Sequence, residues 1–138
     1  MPHPTSTDTA RQIEDLYGAP LADLEAHARD QPPGMLAALL AMHHGLRHAE
    51  HSITYHRDRI TQLIHPQRKI SGHEVSHLLD CTRRLAEAVA VRDTQAQTAG
   101  AVLQSLGRLT PTEPTPSAAP APAAPAPALP ATSATPSR

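Results

Sequence analysis

The sequence contains no phenylalanine and no tryptophan, and Tyr17 and Tyr55 are its only tyrosines. So few aromatic rings argue against a stacking platform for single-stranded nucleic acid and against a large aromatic-lined pocket. Lys69 is the only lysine, and the formal net charge is −1. No overall electrostatic field therefore draws the chain to nucleic acid or to a membrane surface.

Cysteine and long hydrophobic runs are equally scarce. Cys81 is the only cysteine, which excludes an internal disulfide and fits a reducing compartment. The first eight residues contain no basic residue followed by an apolar stretch, so we expect no signal peptide. No apolar run approaches the ~18 residues that a membrane span requires. These features predict a cytoplasmic protein without a membrane partner.

Two long runs of helical pattern dominate what the sequence does contain. In each run, mostly apolar or small residues recur at alternating steps of four and three, the heptad spacing of helices packed side by side. The positions in the first run are Met35, Leu39, Met42, Leu46, Ala49, Ile53, His56, Ile60 and Leu63. Those in the second run are Val75, Leu78, Thr82, Leu85, Val89, Arg92, Ala96, Ala99, Leu103 and Leu106. The two runs predict two long helices.

The segment between the runs predicts how the helices are arranged. Pro66 disfavours helix at the residue before it, and Ser71 or Gly72 can begin the next helix with Glu74 in its first turn. A linker this short makes neighbouring helices antiparallel, so the numbers of facing residues should sum to roughly 136. The expected bounds of the two long helices are 34–65 and 72–108.

The predicted fold class is all-α: a long antiparallel, coiled-coil-like two-helix hairpin with short helices at its open end. The short helices are expected over 8–17 and 20–30, docked on the end of the second long helix at 102–109. From Thr110 onward the chain is almost uncharged and rich in Pro, Ala, Thr and Ser, so it cannot bury enough apolar surface to fold. The predicted divisions are a flexible N-terminus (1–7), a helical domain (8–109) and a disordered tail (110–138).

One short motif points to metal chemistry. His73-Glu74-Val75-Ser76-His77 matches the His-Glu-x-x-His pattern and resembles the zinc peptidases that carry it. The resemblance implies that His73 and His77 bind zinc and that Glu74 activates the metal's water. Such a site takes a third protein ligand, but the later acidic residues lie on the same predicted helix. We therefore expect surface histidines, with no catalytic residue, cofactor or metal, and keep a zinc-dependent hydrolase as an alternative.

Other histidines occupy two different environments in the predicted hairpin. His44, His48 and His51 share one face of the first long helix, a spacing that suits a solvated face, a metal or a protonation switch. His56 falls on the buried seam and faces Asp80 in the predicted register. A His–Asp hydrogen bond there would fix the alignment of the two helices.

Three functions are compatible with this pattern. The favoured one is a non-enzymatic protein that binds a protein partner or a second copy through an exposed apolar flank made of Leu36, Leu40, Ile64 and Leu79. The second is the zinc hydrolase. The third is a nucleic-acid-binding accessory protein that contacts phosphates through a basic tip made of Arg57, Arg59, Arg68 and Lys69.

Overall fold

A computed structural model describes residues 3–109, which form four α-helices and contain no β-strand. The helices are α1 (Ser6–Tyr17), α2 (Leu21–Arg29), α3 (Met35–Leu63) and α4 (Gly72–Leu109). The prediction of an all-α fold is confirmed for this part of the chain, and so is the packing of α3 against α4 as a hairpin. The tail predicted over 110–138 lies outside the described residues.

Local signals at both ends fix the position of α1. The Thr5 hydroxyl accepts a hydrogen bond from the backbone N–H of Asp8, and the Asp8 carboxylate accepts one from the backbone N–H of Thr5 at 3.0 Å. This reciprocal capping box satisfies two amides that the helix itself leaves unpaired. At the other end Gly18 adopts a left-handed φ of 69°, which glycine reaches without steric cost.

The predicted seam on α3 is largely correct. Leu39, Leu46, Ala49, Ile53 and Leu63 are buried at the expected four- and three-residue steps. Met35 is 50% exposed because it is the first residue of the helix. The heptad pattern therefore identified the face that α3 turns toward α4.

The predicted seam on α4 is wrong in its first half. Val75 is 44% exposed and Thr82 is exposed, whereas Cys81 and Ala88 are buried in their place. Both candidate stripes share Leu78 and Leu85, so spacing alone could not separate them. Small side chains at Cys81 and Ala88 allow a close approach to α3, and the bulkier Val75 turns outward.

The register of the hairpin also differs from the prediction. Gly45 on α3 faces Gln95 on α4. A β-carbon built on Gly45 would lie 3.4 Å from the Cδ atom of Gln95. The predicted partner of Gly45 lies one helical turn earlier on α4. As a result, the first turn of α4 projects beyond the last turn of α3, and residues near the linker do not face the predicted partners.

The main core joins all four helices at the open end of the hairpin. Its buried members are Ile13, Leu24, Leu39 and Leu103, one from each helix. Helix α1 packs against both α3 and α4, whereas α2 packs against α3 and α1 and does not contact α4. The prediction that both short helices dock on the end of α4 is therefore wrong for α2.

Candidate functional site

The glutamate of the His-Glu-x-x-His motif caps a helix. The Glu74 carboxylate accepts a hydrogen bond from the backbone N–H of Ser71 at 3.1 Å and another from the Ser71 hydroxyl. These hydrogen bonds from Ser71 hold the pKa of Glu74 below its usual range. An anion at the start of α4 also suits the helix dipole, so a local structural role accounts for this residue.

The two histidines of the motif lie one turn apart without a third ligand. Their ring centroids are 6.5 Å apart, and no other His, Cys, Asp or Glu between residues 3 and 109 completes a metal-binding group with them. Asp80, on the next turn, accepts hydrogen bonds from Arg83 and Arg84 at 2.9 Å each, which lower its pKa. His73 is exposed, but His77 is half-buried because α4 is turned relative to the predicted seam.

The capping role of Glu74 can be tested directly. In the wild-type chain we expect NMR titration to place the pKa of Glu74 below its usual value of 4.5, because the carboxylate accepts both Ser71 hydrogen bonds. Ser71→Ala removes the hydroxyl and should raise that pKa toward the usual range. Ser76→Ala is the control, because the Ser76 hydroxyl donates to the Gly72 carbonyl instead. Equal Glu74 pKa values in all three chains would contradict the capping role.

The buried histidine predicted on the seam has a different environment from the one expected. The Nδ1 atom of His56 is buried without a hydrogen-bond partner among residues 3–109, and the Asp80 carboxylate accepts from Arg83 and Arg84 instead, so the predicted bond between His56 and Asp80 is wrong. His56 lines a cleft with Arg84 and Glu87, one and two turns beyond Asp80 on α4. The shift in hairpin register explains the error, because it moves Asp80 toward the linker.

The predicted apolar flank is not one continuous surface. Leu40 is only 5% exposed, and Leu36 is half-buried against the main core, because the N-terminal helices cover this part of α3. The prediction is therefore wrong for both residues. Ile64 and Leu79 are 51% and 67% exposed and lie near the linker end of the hairpin.

The predicted basic tip lies at the linker end. Arg57, Arg68 and Lys69 are exposed and form no ion pair with any described residue, whereas Arg59 donates a hydrogen bond to Gln62 at 3.2 Å. Further along α4, Arg83 and Arg84 share the Asp80 carboxylate, and Glu87 lies 3.9 Å from Arg83. Each of the four predicted tip residues therefore keeps its positive charge without a carboxylate partner among residues 3–109.

A second polar group, which the sequence analysis did not identify, lies where α2 meets α3. The Nε2 atom of His44 lies 2.8 Å from the Glu25 carboxylate, and the adjacent His43 completes a set of three side chains. One nitrogen or oxygen atom from each lies within 4.8 Å of the others. The hydrogen bond with His44 lowers the pKa of Glu25. His43 and His44 were visible as a pair, but nothing in the sequence connected them to Glu25.

Burial separates His43 from the exposed histidines. Its side chain is buried, and no group between residues 3 and 109 forms a hydrogen bond with its Nδ1 atom. Burial lowers the pKa of His43, with smaller contributions from the neighbouring His44 and Arg47. Burial therefore favours the neutral imidazole, which retains a nitrogen lone pair, over the imidazolium.

No helix within residues 3–109 combines the length and apolar character needed to cross a membrane. Comparison of the chain with protein-family models, curated proteins and solved structures gives no match. The candidate functions therefore rest on the geometry of this chain alone.

Proposed function

We propose that this chain is a non-enzymatic helical protein that acts by self-association, with two copies packing together through the loop half of the hairpin, residues 54–91. The sequence already favoured a homodimer or another protein interaction, and the proposal assigns the interface to one end of the hairpin. The enzymatic alternative loses its main support because Glu74 caps α4 and His73 and His77 have no third partner among the described residues.

The two halves of the hairpin differ in how they are covered. At the open end, α1 lies along the groove between α3 and α4. The first residue of α1 contacts Glu50 on α3, and the last turn of α1 lies near Leu103 on α4. Ser6, the first residue of α1, donates its backbone N–H to the Glu50 carboxylate, so α1 begins at Glu50 and does not extend over the loop half. The loop half consists of two helices and their linker, with no third helix from the described chain.

The proposal rests mainly on the exposed apolar side chains of the loop half. Six of the nine large hydrophobic residues that are exposed in residues 3–109 belong to it: Tyr55, Ile64, Ile70, Val75, Leu79 and Val91. Val75 and Leu79 are neighbours one turn apart on α4, and Leu79 is 67% exposed. Full burial of one leucine side chain contributes about 1.5–3 kcal/mol, so covering several such residues can drive association.

A second copy suits this surface better than a charged partner does. Beside Leu79 on α4 the charges are paired, because Arg83 and Arg84 both contact Asp80 at 2.9 Å and Glu87 lies 3.9 Å from Arg83. Because the net charge of the whole chain is only −1, two copies repel each other weakly. A two-fold dimer packs a surface against its own copy, which suits the apolar pair Val75 and Leu79 beside these paired charges better than the unpaired cations of the basic tip.

Light scattering after size-exclusion chromatography tests the proposal. We expect the wild-type mass to rise with concentration toward twice 14.7 kDa. Leu79→Glu should reduce it to that of one chain, because a carboxylate would be buried at the interface. Leu109→Glu is the matched control on the same helix, since Leu109 is 75% exposed outside the loop half. A monomeric wild type at all concentrations, or an unchanged mass for Leu79→Glu, would rule out this interface.

A further inference from the structure

We propose that Glu25, His43 and His44 bind a divalent transition-metal ion, with zinc as the reference ion, at the junction of α2 and α3. The site is independent of the proposed dimer, because it lies on the open-end half of the hairpin. It also differs from the His-Glu-x-x-His motif, which belongs to α4.

The side chains belong to the ligand types that zinc prefers. Imidazole nitrogen and carboxylate oxygen bind zinc at about 2.0–2.2 Å, which places neighbouring ligand atoms of a tetrahedral site about 3.3–3.5 Å apart. Here the three candidate atoms lie within 4.8 Å of one another. Side-chain rotations that move these atoms by roughly 1 Å therefore suffice to bring all three into contact with one ion.

The unpartnered nitrogen of His43 is the independent observation that points to a ligand. The residue is 4% exposed, and its Nδ1 atom has no hydrogen-bond partner within the described part of the chain. A buried polar atom without a partner lowers stability, because it has lost its hydrogen bonds to water. One of the two ring nitrogens of His43 lies within 4.8 Å of the ligand atoms of His44 and Glu25, and a neutral imidazole is the form that binds a metal.

The exposure of the other two residues gives the ion a route to the site. The side chains of His44 and Glu25 are 47% and 30% exposed, so an ion can enter by separating their 2.8 Å contact. Three protein ligands also leave a fourth tetrahedral position for water. The ligand set therefore suits zinc and related ions that accept nitrogen and oxygen donors.

The position of the site gives the ion a structural effect. Helix α2 is nine residues long, and Leu24 is its only buried residue. An ion held by Glu25 on α2 and by two histidines on α3 would connect these helices directly. We therefore expect zinc to slow amide hydrogen exchange in α2 and to raise the unfolding temperature of the whole chain.

Isothermal titration of the full, untagged chain with zinc chloride tests the site. We expect one zinc ion per chain, and at least about tenfold weaker affinity for His44→Ala and for Glu25→Gln, because each removes a ligand. His48→Ala is the matched control, because His48 is exposed one turn later on α3. The control should bind zinc within about twofold of the wild type, as expected when no ligand is lost.

Further measurements distinguish the loss of a zinc ligand from the loss of the fold. Circular dichroism verifies that the variants remain helical, and thermal unfolding should show a zinc-dependent rise for the wild type and His48→Ala only. The ring nitrogen signals of His43 should shift on zinc addition in NMR spectra. The proposal is overturned if zinc does not bind, if His44→Ala and Glu25→Gln bind as tightly as the wild type, or if only His73→Ala and His77→Ala abolish binding.

Discussion

Leu39→Ala is expected to lower the free energy of unfolding by about 2–5 kcal/mol, the range for removing a large aliphatic side chain from a well-packed core. Leu39 is fully buried and belongs to the cluster that contains one residue from every helix. Its neighbours Ile13 and Leu24 belong to short helices that cannot readily move to fill the cavity without losing other contacts. The loss is a large fraction of the about 5–15 kcal/mol that stabilises a typical domain.

Denaturant unfolding followed by circular dichroism measures this change at one fixed protein concentration, since self-association would also affect stability. Leu109→Ala is the matched control, because it deletes the same atoms from a side chain that is 75% exposed. The control should change the free energy of unfolding by less than about 0.5 kcal/mol. Similar losses for Leu39→Ala and Leu109→Ala would show that the four-helix core does not form as described.

The sequence predicted the ends of α1 and α3 well because each follows a strong local signal: Gly18 ends α1 with a left-handed backbone, and Pro66 follows closely on the end of α3. The capping box of Thr5 and Asp8 was overlooked, so α1 begins at Ser6 and not at residue 8, within the segment predicted to be flexible. Such signals act within a few residues and do not depend on the rest of the fold. The helix types and the hairpin could therefore be inferred without any tertiary information.

The relative positions of the helices could not be inferred in the same way. Two stripes on α4 share Leu78 and Leu85, and the choice between them depends on how closely Cys81 and Ala88 approach α3. This is a packing property, and a heptad count does not contain it. The resulting errors affected the partner of His56, which depends on hairpin register, and the burial of His77, which depends on how α4 is turned about its axis.

The candidate metal site shows the same limit at the functional level. Its residues come from two helices, and only the packing of α2 on α3 brings Glu25 to His44. The sequence pattern predicted that α2 packs on α4, which would separate these residues. The linear motif at His73, by contrast, was easy to find because all its residues lie on one helix, although Glu74 acts there as a cap.

Glu50→Ala is expected to destabilise the chain by about 1–3 kcal/mol, because it leaves two polar groups of Ser6 without their partner. One Glu50 oxygen accepts the backbone N–H of Ser6 at 2.8 Å, and the other accepts the Ser6 hydroxyl. Both contacts lie at the first residue of α1, where a negative charge also suits the helix dipole. The interaction is part-buried, so solvent weakens it less than it weakens an exposed pair.

Comparison of three variants separates the hydrogen bonds from the charge. Glu50→Gln keeps an acceptor but loses the charge, so its loss of stability should be smaller than that of Glu50→Ala. Glu87→Ala is the exposed control, because the Glu87 carboxylate only approaches Arg83 at 3.9 Å. Hydrogen exchange at the Ser6 amide should become faster in Glu50→Ala and remain unchanged in Glu87→Ala. If Glu50→Ala changes neither the free energy of unfolding nor the exchange rate of the Ser6 amide, then Glu50 does not hold α1 at the open end. The position of α1 outside the loop half would then need another explanation.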